Sequence, residues 1–142
     1  MNQELIDAFW ESIPPVWRQT RTKLRAIAAE RFGLTVEQFQ ALRRIRKGMD
    51  TVSALAEEGR LSRSQASRAV EALVRRGLVN RLTDERDRRH LRLSLTSHGE
   101  EILTAIFDEA EIWLAERFSR LSEAEATCLR KSLLLLRQVF SA

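Results

Sequence analysis

The stretch from Leu61 to Thr96 constrains this chain most: LSRSQASRAVEALVRRGLVNRLTDERDRRHLRLSLT. Ser62 and Gln65 stand in capping-box spacing, where each residue satisfies a free amide of the other, so a helix opens at Ser62. Ala66, Ala69, Val70, Leu73 and Val74 recur at helical spacing and predict its buried face. Ser64, Arg68, Glu71 and Arg75 form the opposite stripe. Gly77 ends the helix after Arg75 and Arg76, whose charges suit the negative end of the helix dipole. Two strands follow, Leu78–Leu82 and Leu91–Leu95, the second with Leu91, Leu93 and Leu95 on one face and Arg92 and Ser94 on the other. Between them lies the polar tip TDERDRRH. This order fits a helix entering a DNA groove with a basic hairpin beside it.

The charge distribution points the same way. From Arg60 to Arg92 there are ten Arg against four acids, a net +6, whereas the whole chain of 142 residues is only +4. The remainder is therefore negative, and the positive charge is concentrated where a phosphate footprint would lie. Of the 24 basic residues 21 are Arg, the side chain that pairs bidentately with phosphates and bases.

The flanking segments read as helices. Leu5, Ile6, Phe9, Trp10 and Ile13 recur at helical spacing, and Pro14-Pro15 is expected to interrupt that helix or restart it. Val16, Trp17, Leu24, Ile27 and Ala28 continue an apolar face to Gly33. Thr35 and Gln38 form another capping box for a helix with Phe39, Leu42 and Ile45 inward, stopped by Gly48. Thr51 to Glu58 is a short helix and Gly59-Arg60-Leu61 a tight turn. A long amphipathic helix from Thr96 to Phe118 follows the hairpin, and Ser122 with Glu125 starts a last one, reaching about Phe140. Its four consecutive leucines, Leu133–Leu136, with Val139 and Phe140 suit either a core helix or a dimer interface. The expected fold class is mainly α with a small β-hairpin wing. A winged helix-turn-helix core (35–96) would lie between long N- and C-terminal dimerisation helices (1–34 and 97–142).

Catalysis finds little support. His90 and His98 stand in no metal-ligand spacing, and no Gly-rich phosphate loop or G-x-S-x-G is present. No enzyme activity, metal or cofactor is expected. The start MNQELIDAFWESIPP has no basic n-region, and no apolar run approaches the ~18 residues of a membrane span, so a cytoplasmic chain without membrane contact is expected. The single Cys128 excludes an intramolecular disulfide and reads as a helix-packing residue.

The residues ALAEEGRLSRSQASRAVEALVRRGLVNRLTDERDRRHLRLSLTSHG carry a family resemblance. With Arg76–Val79 reading RGLV, and Asp87-Arg88-Arg89 followed by Leu93-Ser94-Leu95-Thr96 and Gly99, the chain resembles the MarR family of bacterial transcriptional regulators. The resemblance runs over most of the chain. One departure lies in the turn: the family often has Gly two residues before the recognition-helix Ser, whereas here that position is Arg60 and the Gly is Gly59.

The resemblance implies a winged helix-turn-helix homodimer and repressor that binds a palindromic operator in double-stranded DNA. Ser67 and Arg68 would make major-groove contacts, Arg89 would reach the minor groove, and Asp87 would brace the wing tip. Arg suits both tasks, reading guanine O6 and N7 in one groove and the electronegative narrow form of the other. The full expected contact set is Ser62, Arg63, Ser64, Gln65, Ser67 and Arg68 on the helix and Arg86, Arg88 and Arg89 at the tip. Alternatives stand beside several of these. Ser62 is a helix cap first, Gln65 either caps or reads adenine, and Arg68 stands i, i+3 from Glu71, where an ion pair competes with a base contact. The resemblance also implies a small aromatic or phenolic ligand in a cleft, for which Phe9, Trp10, Trp17 and Phe39 with Arg18 or Arg21 are the candidates. The alternative function is a winged-helix module that binds another protein and has no operator; the arginine-rich tip favours DNA.

Overall fold

The structure, a computed structural model, describes residues 1–83 and 91–141. The described elements are α1 (Gln3–Phe32), α2 (Val36–Arg46), α3 (Val52–Gly59), α4 (Arg63–Arg75), β1 (Val79–Thr83), β2 (Leu91–Leu95), α5 (Ser97–Phe118) and α6 (Glu123–Phe140). They fall into two compact units, Met1–Asp108 and a smaller one from Glu109 onward.

In the first unit, α1 opens at Asn2, whose side chain accepts from the Leu5 amide, and closes at Gly33 in the left-handed region. The sequence predicts a break or restart at Pro14-Pro15, but one helix of 30 residues runs through both. The prolines remove the amides that would reach the Trp10 and Glu11 carbonyls. Trp10 and Glu11 are exposed, so water can take the freed oxygens and the helix continues.

The core of this unit is built from one face of each element. Leu24, Ile27 and Ala28 of α1 and Phe39, Leu42 and Ile45 of α2 are buried with Leu55 of α3. Ala66, Val70 and Leu73 of α4 join them, with Leu78, Val79, Leu93 and the α5 residues Ile102, Leu103 and Ile106. Burial at these positions is what drives the helices together, at roughly 25 cal/mol per Å² of apolar surface.

The two strands pair antiparallel, Val79 opposite Leu95 and Thr83 opposite Leu91. The first strand begins one residue later than its sequence suggests. Leu78 is spoken for: its amide closes α4 on the Leu73 carbonyl at 2.9 Å, and its carbonyl accepts from the Thr96 amide at 3.0 Å. Leu91, Leu93 and Leu95 share one face of β2, yet only Leu93 is buried, because the outer end of the hairpin extends past the core and leaves Leu82 and Leu91 exposed.

In the second unit, Ser122 and Glu125 form the expected capping box, each side-chain oxygen accepting from the other residue's amide. The helix it opens, α6, buries no residue. Leu133, Leu134, Leu135, Val139 and Phe140 are exposed on it. An apolar groove of about 450 Å³ is lined by Phe118, Leu121, Leu129, Leu133 and Leu134 with Arg130 and Arg137. Cys128 is exposed rather than packed. Among the described residues no helix is long and apolar enough to cross a membrane.

Candidate nucleic-acid interface

The presentation of α4 follows from its cap. Ser62 Oγ accepts from the Gln65 amide at 3.0 Å, and Gln65 Oε1 accepts from the Ser62 amide at 2.9 Å. The next amides, on Arg63 and Ser64, have no intrahelical partner and point off the positive end of the helix, where an anion is favoured. Ser62, Arg63, Ser64, Gln65, Ser67 and Arg68 are all exposed, while Ala66, Ala69 and Val70 hold the opposite face in the core. Gln65 thus caps the helix through Oε1 and keeps its Nε2 donors. Arg68 forms no ion pair with Glu71. Its side chain instead lies beside the first turn of α2, in a groove lined with Thr35, Glu37, Gln38, Gln65 and Ala69.

Behind the hairpin a set of short bonds fixes its angle to α4. Thr96 Oγ1 donates to the Gly77 carbonyl at 2.6 Å and accepts from the Gly99 amide at 3.0 Å, so one hydroxyl closes α4 and caps α5. Gly99 is needed there because a Cβ would run into the Leu78 carbonyl group. The strand is also tied on its far side. The Leu93 amide donates to the Asp50 carbonyl at 2.7 Å, and Arg92 Nη1 donates to the Asp50 carboxylate at 3.3 Å.

Two arginines of the basic segment are therefore occupied inside the fold. Arg92 holds Asp50, and Arg76 donates to the Phe32 and Gly33 carbonyls at the end of α1 rather than serving the end of its own helix. Arg86, Asp87, Arg88 and Arg89, the wing-tip residues of the sequence reading, lie outside the described residues, as does His90. His98 makes a 3.7 Å contact with Glu101 on the same exposed helix turn. Among the described residues no group of His, Cys, Asp and Glu could hold a metal ion.

The six residues named for a ligand cleft have different surroundings in the structure. Phe9 and Trp10 pack edge to face against each other near the start of α1, centroids 5.7 Å apart. Phe39 is buried in the core, tilted against Phe107 at 6.5 Å. Trp17 and Arg21 line one cavity, of about 310 Å³, whose lining includes none of the other four. That cavity also receives Arg25, Arg43, Arg44 and Lys47, which the sequence reading did not single out. The signal was present as the run RRIRKG at the end of α2. The Arg43 guanidinium lies 5.6 Å from the Phe39 ring centroid and 5.4 Å from that of Phe107. Burial, and then the charges of Arg46 and Arg44, push its pKa down.

Comparison with known proteins agrees with this architecture. Residues 32–90 match the model of the MarR family. The HTH-type transcriptional regulator YsmB of Bacillus subtilis is 26% identical over 106 residues, 74% of this chain and 73% of that protein. The transcriptional regulator Tm0710 from Thermotoga maritima has the same fold, with a TM-score of 0.86 at 22% identity over 94% of each chain. A variant of Staphylococcus aureus MepR bound to an oligodeoxyribonucleotide superposes with a TM-score of 0.70 at 18% identity over 99% of each chain. The fold is that of winged-helix regulators, and these relatives are regulators rather than enzymes.

Proposed function

We propose that this chain is a regulator of the MarR family, whose model residues 32–90 match, and acts as a homodimeric repressor that reads a palindromic operator. The observation that carries the reading is the exposed stripe of α4, whose open N-terminus and Arg63 and Arg68 side chains have no acceptor among the described residues. In the major groove, Arg68 and Ser67 would meet base edges, while Ser62, Arg63, Ser64 and Gln65 would hold the phosphates that flank them. Arg86, Arg88 and Arg89 would enter the adjacent minor groove, with Asp87 bracing the tip by a charge-assisted hydrogen bond.

Dimerisation would use regions 1–34 and 97–142. An α6 with no buried residue and an exposed row of Leu133, Leu134, Leu135 and Val139 supports this, since apolar surface of that extent is rarely left to water. Two α4 helices related by the dyad would then enter successive major grooves, with half-sites about 10–10.5 bp apart. Release from the operator would follow binding of a small ligand.

Selection of bound sequences from random duplexes tests the reading. An imperfect palindrome is expected. Arg68→Ala should relax one half-site position at a cost of about 1–3 kcal/mol. Equal affinity of the wild type for selected and random duplexes would refute sequence-specific regulation.

A further inference from the structure

Away from the α4 stripe, the first unit concentrates a second set of cations that DNA reading does not use. Helix geometry explains how they meet. Gln40, Arg43, Arg44 and Lys47 are spaced i, i+3, i+4 and i+7, so they share one side of the end of α2. Arg21 and Arg25, four apart on α1, line the same cavity. Five cations thus converge against one carboxylate, Glu58, and among the described residues none of the five is hydrogen-bonded to or ion-paired with an acid. Arg25, Arg43 and Arg44 are half-buried, where like charges repel more strongly than in water.

A solvated cationic face would spread these groups into the solvent or alternate them with acids. Here the fold holds them around a concavity of about 310 Å³, in the lower range of small-molecule pockets and too large for a single inorganic ion. Trp17 and Met49 add apolar wall, and the guanidinium forks match phosphate or carboxylate oxygens bidentately. A monoanion would leave most of the repulsion in place.

We propose that this cavity, walled by Trp17, Arg21, Arg25, Arg43, Arg44 and Lys47, binds a small polyanionic metabolite carrying two or more phosphate or carboxylate groups. The site also has a route to DNA reading, a consequence that rests on the function proposed above. A Cβ at Gly59 would lie 2.8 Å from Arg44 Nη1, so the guanidinium sits directly against the last residue of α3. The next residue, Arg60, begins the turn that sets α4. A ligand that engages Arg44 acts on that turn.

Calorimetric titration of the full-length protein without DNA tests the site independently of any operator. Tripolyphosphate and citrate serve as probes, with acetate and benzoate as monoanions. Saturable binding at one site per chain is expected for the polyanions, at least tenfold tighter than for the monoanions. Arg25→Gln combined with Lys47→Gln should weaken it at least tenfold, and Lys47→Gln alone at least threefold, whereas Arg68→Gln should leave it unchanged. Both cavity variants lose like-charge repulsion, so their melting temperatures should equal or exceed the wild type. Absence of saturable binding overturns the proposal. So does binding that survives the cavity substitutions and disappears with Arg68→Gln, which would place the anions on α4. A double variant that loses duplex affinity as Arg68→Gln does, with no polyanion binding in the wild type, would assign the cavity to DNA phosphate instead.

Discussion

Gly99→Ala isolates the joint between α4, the hairpin and α5. An alanine is ordinarily the better helix former, by up to about 1 kcal/mol in a helix interior. Here its Cβ would overlap the Leu78 carbonyl oxygen and lie 3.2 Å from the carbonyl carbon. Both obstacles are backbone, and Leu78 is held at its amide by α4 and at its carbonyl by the Thr96 amide. To admit the methyl group, α5 must back away from Leu78. That movement stretches the 3.0 Å bond from the Thr96 amide and the 2.6 Å bond from Thr96 Oγ1 to Gly77. Two hydrogen bonds at about 1 kcal/mol each, with overpacking strain of about 1–3 kcal/mol, outweigh the propensity gain. A net loss of roughly 2–4 kcal/mol is expected. Urea unfolding followed by circular dichroism measures it. An unchanged or raised midpoint would refute the close-approach argument, because propensity alone would then decide the outcome.

The remaining predictions concern the turn, one tertiary bond and one carboxyl. Arg60 occupies the left-handed region at φ 52, so Arg60→Gly should raise stability by a few tenths to about 1 kcal/mol, read as a higher melting temperature. Arg76→Ala frees the Phe32 and Gly33 carbonyls and should cost about 1–2 kcal/mol in urea unfolding, while the slope of DNA affinity against salt stays at the wild-type value. The Glu125 carboxyl is held below its ordinary 4.5 by the Ser122 amide and then by the Ser122 side chain. A lowered folded-state pKa means the cap's contribution is complete above pH 4.5 and fades as pH falls through the folded value. Amide exchange in the first turn of α6 should therefore accelerate in acid, and Glu125→Gln should remove that dependence.

Local signals carried much of the architecture. The capping boxes at Thr35, Ser62 and Ser122 each open a helix in the structure, because they depend only on residues three apart. The burial of Ala66, Ala69, Val70 and Leu73 followed from period alone. Features that depend on distant partners were not legible. Pro14-Pro15 would break a short helix but sits within a long one, where the residues whose carbonyls are freed, Trp10 and Glu11, are exposed. In the turn before α4 the glycine stands one residue earlier than the family often has it, a shift whose effect cannot be read from spacing. The structure gives it a consequence: Arg60 takes the left-handed position, and Gly59 admits Arg44. The aromatic residues proposed for one cleft share helical spacing with the core, and spacing cannot tell Phe39, which is buried, from Trp17, which reaches a cavity.

Counting arginines as a phosphate footprint needs the same correction. Counterion release scales with the phosphates a protein neutralises, at a slope of about −0.9 per contact. A guanidinium already donating to protein acceptors is poorly placed to add to that count. Arg76 is held by two carbonyls at the end of α1, and Arg92 by Asp50. Both orient elements of the winged-helix unit, one by fixing the end of α4 against α1 and the other by tying β2 to the loop before α3. On the proposed function, the arginines left for phosphate are those such as Arg63 and Arg75, exposed on α4 and without an acceptor among the described residues. On the proposed function, the described arginines of the segment are thus of two kinds, those that would build the reading surface and those that would face the duplex. Only the second kind should appear in the salt dependence of binding.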